Sequence, residues 1–121
     1  MTAASFWNAL DRLAAESRLV IDRPRGSAHP RYPDLIYPFD YGCLADTRAM
    51  DGGGIDVWLG SLPGRQVTAV ICTVDLDRHD AEIKLLLGCT PQEAQIILQI
   101  HNDGNQSGLL IVRGDDHDLP G

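Results

Sequence analysis

The sequence predicts a mainly β domain with flanking helices, whose strands curl or close into a small barrel. Three segments rich in β-branched and apolar residues, at 55–59, 66–74 and 82–87, follow one another and are separated by turn signals. An amphipathic segment precedes them and a capped helical segment follows them. Three successive strands at this spacing are typical of a meander in a small barrel.

The chain opens with a helical pattern at residues 5–16. Apolar residues recur there at the spacing that lines one face of a helix, namely at Phe6, Leu10, Leu13 and Ala14. Trp7 extends this face, and Phe6 and Trp7 together offer apolar surface for self-association, which is common among small barrel enzymes. We therefore expect a homo-oligomer.

Residues 18–22 predict a short strand, which ends where Pro24 begins a segment dense in proline, glycine and aspartate. That density, from residue 24 to residue 54, favours loop rather than regular elements. A loop of this length in a small domain is usually functional or disordered, and its aromatic residues favour an ordered one. We expect this loop to wrap the functional site.

The C-terminal part of the chain predicts a helix and a last strand. Residues 90–93 form a capping-box sequence with proline at the first helical position, so a helix is expected from there to about His101. A polar turn then leads to a strand at 108–113 and to an acidic tail at 114–121, which is expected to fray.

Length and charge limit the function. The 121 residues fit a single domain, 1–121, with residues 1–17 as its N-terminal helix. The formal net charge of -7 argues against nucleic acid as a partner, because basic surface supplies most of that affinity. An acidic chain still binds an anion where metal ions or a local basic cluster invert the field in a cleft.

The sequence indicates a cytoplasmic protein with reduced thiols. It has neither an apolar run of about 20 residues, as a membrane span requires, nor a signal-type N-terminus. The three cysteines, Cys43, Cys72 and Cys89, are odd in number and form no CxxC pair. We expect free, mostly buried thiols.

The most informative stretch is residues 37–57. Asp51 and Asp56 lie five positions apart across three glycines, which let the backbone bend so that both carboxylates face one point. Paired carboxylates with open positions suit Mg²⁺, which commonly bridges to phosphate. The alternative is a tight turn in which the two aspartates satisfy only local backbone groups.

A second acidic group ends in a lysine. It comprises Asp75, Asp77, Asp80 and Glu82, followed by Lys84. Side chains alternate along a strand, so Glu82 and Lys84 are expected on one face, where they could hold a metal ion and the phosphate that it bridges. The alternative is a solvated face with an exposed ion pair of little energetic value.

Other chemistries find no support in the sequence. The four histidines, His29, His79, His101 and His117, lack the spacing of a zinc site and are expected to be exposed. Motifs of nucleophilic serine enzymes, P-loops and dinucleotide-binding turns are absent. Tyrosine hydroxyls of the 24–54 loop, including those of Tyr37 and Tyr41, can donate hydrogen bonds to phosphate or simply pack the loop.

Together, the segments 37–42 and 51–57 resemble the soluble inorganic pyrophosphatase family. In that family a tyrosine-proline-x-Asn/Asp-tyrosine-glycine element precedes an aspartate-glycine-aspartate-proline-x-aspartate-valine element. The first segment matches without departure, the second matches at its outer positions, and a looser resemblance extends over 19–113. The resemblance implies an OB-type five-stranded β-barrel.

The resemblance also implies a mechanism, in which Mg²⁺ ions held by acidic residues grip pyrophosphate while an activated water attacks phosphorus. Carried over by position, the implied metal ligands are Asp51, Asp56, Asp77, Glu82 and Asp22. The expected substrate contacts are Arg31, Tyr41, Lys84 and Tyr37.

Three departures from the family pattern bear on catalysis. Gly53 stands where the family has the aspartate associated with activating water, so that Asp40, or a metal-bound hydroxide, would have to act as the base beside Asp56. The hairpin expected before Tyr37 is almost entirely missing, together with an arginine that binds phosphate. After the C-terminal helix, His101-Asn102 replaces a tyrosine-lysine pair.

The sequence thus favours Mg²⁺-dependent hydrolysis of pyrophosphate, slowed by Gly53. A module that binds metal and phosphate without turnover is the second hypothesis. A hydrolase of a larger diphosphate is the third, because loss of the hairpin should open the cleft.

Overall fold

A computed structural model describes residues 2–49 and 51–114 of the chain. These residues form two helices and six strands. In chain order the elements are α1 (Ala3–Glu16), β1 (Leu19–Arg23), β2 (Asp40–Leu44), β3 (Ile55–Leu59), β4 (Val67–Asp75), β5 (Asp80–Leu87), α2 (Pro91–Ile100) and β6 (Gln106–Val112). Of the predicted acidic tail, 115–121 lies outside the described residues.

The strands form one six-stranded sheet in the order β1-β2-β3-β5-β4-β6. Only the β3–β5 pair is parallel among these neighbours. The mainly β architecture with flanking helices is confirmed, but the closed five-stranded barrel is wrong, because β1 and β6 are the two edges of an open sheet. The predicted meander is also wrong, since β5 inserts between β3 and β4.

Strand β2 lies within the segment that the sequence predicted to be loop. Gly42 explains how it forms, because a Cβ atom at this position would overlap the backbone carbonyl of Val20 on β1. Glycine therefore lets β1 and β2 approach closely enough to pair. The described residues on either side of β2 in this segment are loop, as expected, and Ala28 and Ile36 form an isolated bridge.

The sheet carries a hydrophobic core on each face. One cluster combines residues of α1 with the inner side chains of the sheet, including Leu44, Val57 and Leu85. The other combines residues of α2 with Trp58, Ile71 and Leu86. Burial of these side chains is the main favourable term that holds both helices against the sheet.

Helix α1 turns Leu10 and Ala14 to the core, as expected, and Trp7 extends this face, but Phe6 does not belong to it. Trp7 and Ala14 are its buried residues, whereas Phe6 is 43% exposed. Trp7 is therefore a core residue and not part of an exposed apolar surface. The expected role of the Phe6–Trp7 pair in self-association is reduced to Phe6 alone.

Helix α2 begins as the sequence predicts. Thr90 and Glu93 form the capping box, in which Thr90 Oγ1 accepts a hydrogen bond from Glu93 N at 3.2 Å and Glu93 Oε1 accepts one from Thr90 N at 2.8 Å. Glu93 also accepts a hydrogen bond from the backbone of Ser61. The helix ends at Ile100, with His101 as its C-cap.

No helix in the described part of the chain is long and apolar enough to cross a membrane. All three cysteines are free thiols, as expected, but only Cys89 is buried. Cys43 and Cys72 are partly exposed, so the expectation of mostly buried thiols is wrong for these two.

Candidate active site

Strand alternation brings the polar side chains of Tyr41, Asp56 and Lys84 to the face of the sheet that α2 covers. Tyr41 pairs with Trp58 across β2 and β3, and Cys43 pairs with Asp56. Strand β5 runs parallel to β3, with Val57 opposite Leu85. Asp56 therefore lies beside Lys84, because neighbouring strands place adjacent positions on the same face.

Lys84 is the centre of a polar cluster. Its Nζ atom donates to Asp56 Oδ2 at 2.7 Å, to Tyr41 Oη at 3.1 Å and to Glu82 Oε2 at 3.3 Å. The side chains of Lys84 and Glu82 are each only 7% exposed, and that of Asp56 is 27% exposed. We call Tyr41, Asp56, Glu82 and Lys84 the Lys84 cluster. Burial makes the charges of this cluster energetically unfavourable unless they remain paired.

Tyr41 and Lys84 keep their protons at neutral pH. Burial raises the pKa of the Tyr41 hydroxyl. Burial alone would lower the pKa of the Lys84 ammonium, but the Tyr41 and Asp56 oxygens raise it further than burial lowers it. The site therefore contains a protonated phenol beside a fixed positive charge.

Asp51 lies beside the Lys84 cluster, on the loop before β3. Its Oδ1 atom accepts a hydrogen bond from Gly53 N at 2.9 Å, and this bond lowers the pKa of Asp51. Asp51 lies close enough to Glu82 for each carboxyl group to shift the other's pKa, and burial raises the pKa of Glu82. Neighbouring carboxyl groups whose pKa values move in opposite directions are typical of functional sites.

The carboxylate oxygens of this region are of the type that hard cations prefer. Glu82 Oε1 is buried and has no hydrogen-bond partner among the described residues. Such an oxygen calls for a proton or a cation, because an unpaired buried carboxylate is unfavourable. Even so, within 2–49 and 51–114 no group of three or more His, Cys, Asp or Glu side chains is placed so that it could hold a metal ion.

The two remaining predicted ligands have different surroundings. Asp22 lies at the irregularity of β1 and, with Asp56, raises the pKa of the Cys43 thiol, after the larger effect of burial. Asp22 is thus near the cluster. Asp77 lies in the β4–β5 turn, where its Oδ1 atom accepts a hydrogen bond from Asn105 Nδ2 at 2.8 Å, so it joins two turns and makes no hydrogen bond to the cluster.

Asp40 is not brought to the cluster. It pairs with Leu59, and strand alternation points both side chains to the face opposite that of Tyr41. Its Oδ1 atom accepts a hydrogen bond from Arg25 N at 2.8 Å. The Asp40 carboxylate therefore fixes the loop after β1.

The two predicted substrate contacts of the loop, Tyr37 and Arg31, differ in burial. Tyr37 is buried, and its ring lies 5.7 Å from the rings of both Tyr41 and Trp58. It supports Tyr41. Arg31 is exposed, and its backbone N donates to Nδ1 of His29 at 3.0 Å.

Sequence reasoning missed two neighbours of the cluster. Trp58 Nε1 donates to His101 Nε2 at 3.0 Å, and both residues are buried. The expectation that His101 is exposed is wrong. Burial lowers its pKa to about 4, so the imidazole is neutral near pH 7. The alternation of Asp56 and Trp58 on β3 was the available signal.

Solved structures share this arrangement of strands and helices. An inorganic pyrophosphatase from Neisseria gonorrhoeae is 22% identical with a TM-score of 0.52, over 74% of this chain and 77% of that one. The chain has the fold of the inorganic pyrophosphatases. An inorganic pyrophosphatase from Helicobacter pylori is 14% identical (TM-score 0.53), and an inorganic phosphatase from Anaplasma phagocytophilum is 15% identical (TM-score 0.54). Each of these two alignments covers 78% of this chain and 81% of the other.

At these identities the likeness concerns the fold alone. No protein-family model and no curated protein matches the sequence significantly. The pyrophosphatase fold that the motifs at 37–42 and 51–57 implied is nevertheless confirmed.

On this pyrophosphatase fold, an open groove lies where the short loop before Tyr37 passes α2. Its volume is about 660 Å³, and it is lined in part by Tyr32, Ile36, Ile96 and Asn102. No residue of the Lys84 cluster lines this groove, so the expectation that loss of the hairpin opens the cleft of the site stays a prediction.

Proposed function

We propose that this protein hydrolyses the phosphoanhydride bond of inorganic pyrophosphate in a Mg²⁺-dependent reaction. The observation that carries the proposal is the buried Lys84 cluster, with Asp51 beside it, on a fold shared with inorganic pyrophosphatases. A desolvated ammonium, a phenol and several carboxylates in one place suit the binding of a metal–phosphate complex.

Tyr41 and Lys84 are the residues that receive the substrate. The Tyr41 hydroxyl accepts a hydrogen bond from Lys84, and its own hydrogen, which interacts with Asp56, would turn to a phosphate oxygen. Lys84 keeps its positive charge close to that oxygen and stabilises the negative charge that develops on the leaving phosphate. Arg31, exposed on its loop, supplies a second cation to the substrate.

Asp51, Asp56 and Glu82 would hold the metal ion, with Asp22 from β1 as a further ligand. Asp77, in the β4–β5 turn, would contribute only after leaving its hydrogen bond to Asn105. Mg²⁺ bound there supplies charge neutralisation of the phosphate oxygens and lowers the pKa of a bound water. Asp56 has a second function, since it pairs with Lys84 and orients its ammonium group.

A binding module without turnover is the second candidate. Two observations favour it: Gly53 carries no carboxylate, and Asp40 points to the opposite face of the sheet while bound to Arg25 N. A site without its general base loses on the order of a hundredfold to ten-thousandfold in rate.

Phosphate release from pyrophosphate, measured with and without Mg²⁺, tests the proposal. We expect release that depends on Mg²⁺ and falls to background in Asp56→Asn. Calorimetry on the same preparation separates the candidates, because binding of Mg²⁺ and phosphate without release selects the binding module. Absence of both binding and release would contradict both candidates.

A further inference from the structure

Trp58 and His101 form a buried hydrogen-bonded pair directly behind the Lys84 cluster. Trp58 is 1% exposed and His101 is 6% exposed. Because His101 Nε2 accepts the indole N–H, its Nδ1 atom carries the proton and faces Gln106 Oε1 at 3.2 Å. The imidazole is thus held at both nitrogens in one tautomer.

The fixed indole of Trp58 in turn packs against the ring of Tyr41. The two rings meet edge to face, with centroids 4.7 Å apart and an interplanar angle of 60°. The hydroxyl of the same tyrosine lies 3.1 Å from Lys84 Nζ. A continuous series of contacts therefore leads from His101, at the end of α2, to the centre of the cluster.

We infer that His101 is a positioning residue of the site: it fixes the indole of Trp58, which holds the Tyr41 hydroxyl in place against Lys84. The catalytic consequences of this inference rest on the proposed function. Both ring nitrogens of His101 are already engaged, by Trp58 Nε1 and Gln106 Oε1, so His101 does not replace a phosphate ligand at the end of the helix.

Two substitutions of His101 separate positioning from simple packing. His101→Gln keeps an acceptor for the indole N–H, whereas His101→Leu keeps bulk but leaves that donor unpaired. We expect His101→Leu to lower kcat for pyrophosphate about tenfold to a hundredfold, since small misplacements of catalytic groups cost that much. His101→Gln should stay within about threefold of the wild type. In a Tyr41→Phe background the loss caused by His101→Leu should shrink below about threefold.

Near-ultraviolet circular dichroism gives a readout that needs no enzymatic activity, because an aromatic ring contributes strongly to it only while tertiary packing fixes its orientation. The contribution of Tyr41 is the difference between a protein and the same protein carrying Tyr41→Phe. His101→Leu should lower this difference about twofold or more. His101→Gln should leave it unchanged. Trp58→Phe, which keeps an aromatic ring and removes the N–H donor, should behave like His101→Leu and serves if that variant does not fold.

The outcomes distinguish this inference from the proposed function. If the wild type neither binds nor hydrolyses pyrophosphate, the proposed function fails, and the near-ultraviolet signal of Tyr41 alone decides the role of His101. An unchanged Tyr41 signal in folded His101→Leu and Trp58→Phe proteins would overturn the inference. So would a kinetic loss of the same size with and without the Tyr41 hydroxyl.

Discussion

Lys84 and Asp56 are joined by a 2.7 Å ion pair although 28 residues separate them in the chain. The pair spans the parallel junction of β3 and β5, at the centre of the sheet. The single ammonium group of Lys84 contacts two carboxyl groups, those of Asp56 and Glu82. The local net charge is therefore negative unless a further cation binds or Glu82 carries a proton. This imbalance gives the first prediction.

Replacement of Asp56 with Asn should remove the metal-dependent activity while the fold survives. Lys84 would retain Glu82 and Tyr41 as partners, so its charge would not be left unpaired. We expect the rate to fall by at least about a hundredfold, which is typical for loss of one preorganised electrostatic contact. Phosphate release and circular dichroism measure the two effects. Asp34→Asn, on the exposed loop, is the control, and full activity in Asp56→Asn would exclude this carboxylate from the mechanism.

Replacement of Gly53 with Asp should raise pyrophosphate hydrolysis about tenfold or more, because a carboxylate at this position restores a general base. The structure has room for the side chain: a Cβ atom at Gly53 would lie 3.4 Å from Asp51 Oδ1, which is ordinary contact. Gly52→Asp is the matched control, since Gly52 has φ of +87° and resists a side chain there. Initial rates at fixed Mg²⁺ compare the variants. No gain in a folded Gly53→Asp protein that binds Mg²⁺ would show that its chemistry is organised differently.

The elements that the sequence predicted well carry their signals locally. The capping box at 90–93 fixed the start of α2, and the apolar run at 55–59 matches β3. Strand β2 was missed because Gly42 and its neighbouring turn-forming residues resemble loop, and only the close approach of Val20 makes glycine suitable there. Strand order was also missed, because it depends on pairings between distant segments that no local pattern encodes.

The candidate site was predictable only where a local pattern determines which side chains share a face. Alternation along β5 placed Glu82 and Lys84 on one face, which the structure bears out in their shared contact. The same rule, applied to β2, separates Asp40 from Tyr41, but only once β2 is known to be a strand. The burial of His101 depends on Trp58, 43 residues earlier, and so on tertiary packing.

Replacement of Gly42 with Ala should destabilise the protein strongly. The added Cβ atom would overlap the carbonyl of Val20 and drive β1 away from β2. Overpacking of this kind costs about 1–3 kcal/mol or more, and backbone atoms yield less easily than side chains. Urea unfolding measures the loss, with Gly53→Ala as a control that has room for its methyl group. Equal stability of the two variants would show that β1 can shift without cost.

The free energy of unfolding should depend on pH through His101. Its pKa is about 4 in the folded protein and near 6.5 when exposed, so between these values the unfolded chain binds a proton that the folded protein does not. The stabilising contribution of His101 is therefore complete above pH 6.5 and falls by roughly 2–3 kcal/mol as the pH drops to 4. Urea unfolding at several pH values should show this loss in the wild type and in the control His79→Asn, whose side chain is exposed, but not in His101→Gln. An unaltered pH dependence in His101→Gln would mean that His101 titrates normally and that its hydrogen bond to Trp58 does not keep it neutral.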